Sequence, residues 1–317
     1  MRYALMIEPQ QGLSYREQLG VALLAERLGY ETLFRSDHYL SFPGGSGFAT
    51  TDAWTVLAGL ARETSTIRLG VLVSPVTFRH PGSFAKVVTT VDEMSVGRID
   101  VGVGAGWNEP EHRTLGLPFP TFADRVDLLE DELAILRGLW DEPDGWSYEG
   151  HQLRVESKVF RAAPVQRPHP PIILGGQASP RSVRLAARYA DEYNMYGVGA
   201  EECRVGFARL DDACKAIGRD PATIARSVMV GMIIGRDEAE MAERVGAQLA
   251  LVAEPGTDPE EWLERHRSRW IMGTPDRARA VVGTFAAAGA QRIMLQDFMP
   301  RDGAMIELVA AELLSRG

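Results

Sequence analysis

Cysteine is scarce in this chain of 317 residues. Only Cys203 and Cys214 occur, both inside one stretch with helical spacing. Two such thiols read as packing residues rather than a disulfide framework, and they point to a reducing, cytoplasmic compartment. Paired metal motifs are missing too. The histidines stand at 38, 80, 112, 151, 169 and 266, with no H-x-x-x-H or C-x-x-C pair, so no dedicated metal site is expected. No apolar run approaches the roughly 20 residues of a membrane span. The first residues, "MRYALMIEPQ", run into Glu8 and Pro9 and lack the apolar region and cleavage site of a signal peptide. Basic charge is in deficit, 34 residues against 43 acidic ones, for a formal net charge of −9. That balance disfavours nucleic acid or an anionic membrane as the main partner and leaves a small molecule.

What the chain does have is alternation. Short apolar runs are each followed by a longer amphipathic stretch. "YALMIE" (3–8) precedes 14–29, "ETLFRS" (31–36) precedes 52–64, and "IRLGVLV" (67–73) precedes 81–95. "RIDVGVG" (98–104) precedes 122–140, "PIILGG" (171–176) precedes 179–190, and "DEYNMY" (191–196) precedes 201–218. "RSVMVGMIIG" (226–235) precedes 237–253 and 275–288, and "QRIMLQDF" (291–298) precedes 303–316. The apolar runs are nearly continuous, as strands covered on both faces should be. Eight strand-and-helix units over 1–317 predict a single (β/α)8 TIM barrel, with an open doubly wound sheet as the alternative. Insertions are expected after strands 4/5 and 7. The first, 141–170, should carry a small hairpin, and the second spans 254–274.

In a barrel, function gathers where strands end. Strand one ends at Glu8, either a solvated loop acid or an acid of the mouth. Strand two ends "FRSDHY" (34–39), where Asp37 and His38 make either an oriented acid–base pair or an ordinary cap. Arg79 and His80, after strand three, read most simply as a capped turn. Strand four runs into "GVGAGWNEPEH" (102–112). Its spacing is G-x-G-x-G, not the dinucleotide G-x-G-x-x-G, and Pro110 follows at once. Gly102, Gly104 and Gly106 fall on one face, which either admits a flat ring or packs tightly at the barrel centre. Asn108 adds an amide that donates and accepts. Strand five ends in Gly175 and Gly176, with Ser179 and Pro180 suited to begin a helix. That is either a plain turn or an anion site at a helix N-terminus. A flat phosphorylated cofactor fits these strand ends together.

The chain resembles the bacterial-luciferase-like superfamily, and within it the coenzyme F420-dependent oxidoreductases. The resemblance is carried by "MIEPQQGLSY", "FRSDHY", "TDAW", "LARETSTIRLGVLVSP", "TFRHPG", "GVGAGWNEPEHRTLGLPFP" and "PVQRPHPPIILGG", in that order. It implies a (β/α)8 barrel with insertions, often dimeric, that holds its cofactor at the C-terminal mouth. It further implies Asp37 at the cofactor edge and His38 beside the position of hydride transfer. A cis peptide would fall at Leu72–Val73, behind the ring. Val103, Gly104, Ala105 and Asn108 match ring and ribityl contacts, and Gly175, Gly176, Gln177 and Ala178 match the phosphate loop. Sugar-oxidising relatives carry glutamate where this chain has Ala105 and tryptophan where it has Phe42, which argues against a sugar-phosphate role. Glu8 could supply the missing acid. Three functions follow for comparison: an F420-dependent oxidoreductase, an FMN-dependent luciferase-like monooxygenase, and a non-catalytic flavin-binding protein.

Overall fold

The apolar runs form parallel strands wrapped by helices. The computed structural model describes residues 1–42, 47–142, 145–157, 163–252 and 256–314. The strands are β1 (Arg2–Ile7), β2 (Thr32–Arg35), β3 (Arg68–Pro75), β4 (Ile99–Gly104), β5 (Trp146–Glu149), β6 (Arg154–Ser157), β7 (Ile172–Gly176), β8 (Glu192–Tyr196), β9 (Ala225–Ile234), β10 (Ile271–Gly273) and β11 (Arg292–Asp297). The helices are α1 (Tyr15–Leu28), α2 (Ala53–Glu63), α3 (Pro81–Ser95), α4 (Glu109–Leu115), α5 (Phe122–Asp141), α6 (Pro180–Tyr189), α7 (Ala200–Ala216), α8 (Glu238–Val252), α9 (Pro259–His266), α10 (Pro275–Ala287) and α11 (Gly303–Val309).

The order β1-β2-β3-β4-β7-β8-β9-β11 closes on itself, because β1 pairs with both β2 and β11 and β8 pairs with β9. This is the expected TIM barrel. Each insertion lies where the sequence placed it. The first carries the antiparallel β5–β6 hairpin, and the second carries α9 and β10, which extends the sheet beside β9. α4, like α9 and β10, was not foreseen. Residues after Asn108 form α4, with Pro110 in its first turn and Asn108 Oδ1 accepting from the Glu111 N–H at 3.4 Å. Proline is tolerated there because the first N–H groups of a helix have no internal partner.

Strand alternation separates two cores. Ala4, Met6, Phe34, Leu72, Ile173 and Met294 pack together inside the barrel, while Leu5, Leu33, Val101 and Leu174 pack outward against helices. At the N-terminal end a buried ion network closes the barrel. Arg292 reaches Glu192 at 2.6 Å and Asp100 at 3.3 Å, and Arg68 reaches Asp100 at 2.5 Å. Cys203 and Cys214 are free and buried on α7, consistent with packing thiols.

β3 is the irregular strand. Its register against β4 shifts between Val71 and Ser74, and the Leu72–Val73 peptide bond is cis, where the resemblance places it. The glycines of β4 make room for this. A Cβ on Gly102 would lie 2.2 Å from the Val71 carbonyl oxygen, and one on Gly104 would lie 2.7 Å from Val73 Cγ2. Tight packing therefore accounts for these two glycines, and Val73 stands on the face they leave.

Candidate active site at the barrel mouth

Past β2 the side chains still part to opposite sides, as their partners show. Ser36 and His38 turn inward with Phe34, and Asp37 turns outward. This separates the two residues that the sequence suggested as a pair. The Asp37 carboxylate instead accepts from Arg79, Nη1 at 2.5 Å and Nη2 at 3.1 Å. Arg79 also reaches the Tyr39 hydroxyl at 2.9 Å and Asp52 at 2.5 Å, and Asp52 caps α2. Asp37 is thus buried within an ion network that ties the β2 and β3 loops to α2. His80 caps α3 through Gly82, as a plain turn would.

The partner of His38 is Glu111. His38 Nδ1 lies 3.0 Å from Glu111 Oε2. The other Glu111 oxygen accepts the backbone N–H of Leu40 at 2.9 Å and that of Tyr39. The Glu111 side chain is 1% exposed and the His38 side chain 16%. Phe42 and Trp107 pack edge-on against the imidazole, with centroids 5.0 and 5.5 Å away. Burial alone would favour the neutral ring. The Glu111 hydrogen bond and charge, with Glu8 and Asp37 behind them, outweigh it and raise the His38 pKa above its ordinary value. With Nδ1 held, Nε2 is left for another partner.

Glu8 is 3% exposed and is no solvated loop acid. It shares the inward face of β1 with Ala4 and Met6. Its oxygens accept from Gln10 Nε2 at 2.8 Å and Gln296 Nε2 at 2.5 Å, and Ser36 donates to Gln10 at 2.7 Å. This chain of contacts spans β2, β1 and β11.

The loop after β7 is split in the same way. Gly175 faces the barrel interior, and a Cβ there would meet only Val73 Cγ1 at 3.6 Å. Gly176 faces outward, and a Cβ there would lie 2.5 Å from the Tyr193 hydroxyl. That hydroxyl accepts from the Ala178 N–H at 2.9 Å and meets Ser182 Oγ at 2.9 Å. Ala178 adopts φ 54°, and Ser179 caps α6. The turn is therefore fixed from behind by Tyr193 and presents Gly175, Gln177 and the start of α6 toward the mouth. On the strand-four side, Gly106 at φ 78° turns the chain so that Trp107 projects out, 67% exposed. Val103 is buried on the outer face of β4, Ala105 is partly buried beyond the strand, and Asn108 spends its side-chain oxygen on α4.

These features sit in a chain that matches the luciferase-like monooxygenase family over residues 1–292. The chain belongs to that family. Two relatives show its breadth. An F420-dependent glucose-6-phosphate dehydrogenase of Microbacterium testaceum is 30% identical over 317 residues, covering 95% of this chain and 93% of that protein. An FMNH(2)-dependent dimethylsulfone monooxygenase of Pseudomonas putida is 30% identical over 248 residues, covering 77% and 64%. Among solved structures, the monooxygenase RslO1 of Streptomyces bottropensis superposes with a TM-score of 0.83 at 24% identity, covering 99% of both chains. An F420-dependent secondary alcohol dehydrogenase superposes with a TM-score of 0.82 at 17% identity, covering 99% and 98%. These likenesses confirm the fold, and both cofactor classes occur among the family's members.

Sequence reasoning missed Glu111, Gln296, Trp270 and Phe298. Glu111 stood inside the quoted "GWNEPEH", but no local spacing links it to His38, 73 positions away. The Trp270 ring lies across Gly231 of β9, and its plane is 2° from that of Phe298. Gly231, an isolated glycine within an apolar strand, was the one signal that something approaches closely there.

Proposed function

We propose that this chain is an F420-dependent oxidoreductase that moves a hydride between the deazaflavin and a small organic molecule. The observation that carries the catalytic reading is the buried Glu111–His38 pair at the mouth. A positioned imidazole with a free Nε2 is suited to give or take the proton that accompanies hydride transfer. The choice of F420 over FMN is supported by the end-to-end similarity to an F420-dependent dehydrogenase.

The residues present fit a flat, phosphorylated cofactor. Gly175 leaves a space that any side chain would occupy, Val73 offers an apolar face, and the α6 N-terminus offers N–H groups and a partial positive charge to an anion. Gly175, Gln177 and the first N–H groups of α6 would hold the phosphate, with Ala178 fixing the turn through Tyr193, and Leu72, Val73 and Ala105 would back the ring. Asp37 would act near the ring edge through the loop that Arg79 braces, and Gly176 through the Tyr193 contact behind the phosphate turn. Deazaflavin supplies two-electron hydride chemistry with little reactivity toward oxygen; orientation and electrostatics come from the protein. Glu111 holds Nδ1 of His38 so that Nε2 carries the transferable proton. Glu8, whose oxygens both accept amide hydrogens, adds negative charge near His38 and is the second acid–base candidate.

An FMN-dependent monooxygenase is the alternative, favoured by the similarity to the dimethylsulfone enzyme. A purely flavin-binding role would leave the Glu111–His38 pair without a task. Titration of the purified protein with F420 and FMN side by side tests the choice. Tighter F420 binding is expected; equal or tighter FMN binding reverses it.

A further inference from the structure

The strand order divides the mouth into two unlike halves. On the side of β3, β4 and β7 it is lined by Val73, packed over Gly104, and by Gly175. On the side of β1, β11 and β9 it carries long side chains. Glu8 is held by Gln296, whose register partner on β9 is Gly231. A Cβ on Gly231 would lie 2.2 Å from the Trp270 ring, so that ring lies beside the Glu8–Gln296 pair. Trp270 and Phe298 run parallel with centroids 5.9 Å apart. On the other flank of β1, Phe42 and Trp107 stand 5.9 Å apart around His38. The barrel thus sets Glu8 between two aromatic pairs. Two exposed arginines of the second insertion are paired with acids, Arg267 with Glu264 at 3.0 Å and Arg269 with Glu202 at 3.8 Å.

Building on the proposed hydride-transfer role of the mouth, we infer that the organic substrate is a flat, largely apolar molecule, neutral or cationic, that offers an N–H or O–H to Glu8. Phosphorylated substrates are turned away. The aromatic pairs favour flat rings and tolerate cations on their faces. Each carboxylate oxygen of Glu8 accepts one amide hydrogen and keeps a second lone pair for a ligand donor. A phosphate placed there would face the like charge of Glu8, while the His38 ring beside it already spends Nδ1 on Glu111.

Three probes that differ only in one group decide this: 2-naphthylmethanol, 2-naphthylmethylamine and 2-naphthylmethyl phosphate. Their affinities are measured by titration calorimetry on the full chain, with and without F420, beside a separate titration of the cofactor. With F420 bound and its phosphate turn filled, the alcohol and amine should bind at least about tenfold more tightly than the phosphate ester. Glu8→Gln should narrow that gap to within about threefold, and Trp270→Ala should weaken the alcohol and the amine alike. Phosphate binding as tight as the alcohol in the F420-loaded wild type overturns the inference, as does binding of none of the three at millimolar concentration. A gap that a folded Glu8→Gln leaves intact overturns the part assigned to Glu8. Should that variant not fold, the wild-type ranking alone decides. Failure of the cofactor reading shows separately, as absent F420 binding, and leaves the probe ranking on the unloaded protein to be judged by itself.

Discussion

His38 and Glu111 meet at 3.0 Å across the loops after β2 and β4. The same carboxylate accepts two backbone N–H groups from the His38 loop. One buried side chain therefore sets the position of the segment and the protonation of its imidazole. Glu111→Gln preserves the shape and removes the charge. Its expected outcome is a lower His38 pKa, read by NMR titration of the ring, with the acid limb of the pH–rate profile moving the same way. The sign follows from linkage. A histidine whose folded pKa is raised contributes stability below its unfolded pKa and loses it as pH rises through the folded value. The stability gap between wild type and variant should therefore be widest in acid. A variant with an unmoved His38 titration would reduce Glu111 to a loop brace.

His38→Ala should lower turnover by about 10²–10⁴-fold, the usual worth of a positioned proton-transfer group. Cofactor affinity should change little, because Val73 and the β7 turn do not depend on the imidazole. Steady-state kinetics beside a cofactor titration checks both. Undiminished turnover would remove His38 and bring Glu8 forward.

Asp37→Ala should act through Arg79. Losing one partner of a buried ion pair commonly costs about 3–5 kcal/mol, but Asp52 and Tyr39 still hold the guanidinium, so about 1–3 kcal/mol is expected here. Cofactor affinity should fall with it, and Arg79→Met should reproduce both losses. An Asp37 variant that binds poorly beside an Arg79 variant that binds normally would mean that Asp37 touches the cofactor itself.

Gly175 and Gly176 should separate function from stability. Gly175→Ala places its Cβ in ordinary contact with Val73, so the fold should hold while cofactor affinity drops. Gly176→Val drives a side chain into the Tyr193 hydroxyl and should cost about 1–3 kcal/mol in the melting transition. The outward direction of Gly176 places its side chain against Tyr193 rather than in the mouth, so this variant reports first on stability. Melting curves and F420 titrations of the two variants check it.

Asp297 predicts a pH-dependent stability. Its carboxyl is fully buried with Oδ2 unpartnered, and burial raises its pKa from 3.8 to about 7. Between those values the folded chain holds a proton that the unfolded chain has released. This group's contribution to stability therefore falls as pH rises through that window and levels off above it. Asp297→Asn removes that share. The variant should melt above the wild type at pH 8, with the difference closing toward pH 4. A constant difference across the range would assign the effect to packing.

The barrel was legible because strand and helix periods are local. An apolar run followed by helical spacing, repeated eight times, leaves few ways to bury every face. The positions that reach the mouth were legible for the same reason, since strands end where polar residues and glycines begin. Glu8, His38 and Gly175 lie at such ends, whereas the cis Leu72–Val73 bond lies within β3 and was expected only from the family resemblance. Which way each side chain turns was decided only in three dimensions. Asp37 and His38 are neighbours in sequence, yet one turns to Arg79 and the other to Glu111. Gly175 and Gly176 part in the same manner. The glycines of β4, which the sequence offered to a cofactor or to packing, are occupied at Gly102 and Gly104 by β3. Contacts such as His38–Glu111 and Trp270 over Gly231 join residues far apart along the chain. Only closure of the barrel brings them together, because the pairing depends on strand order and register rather than on any local pattern.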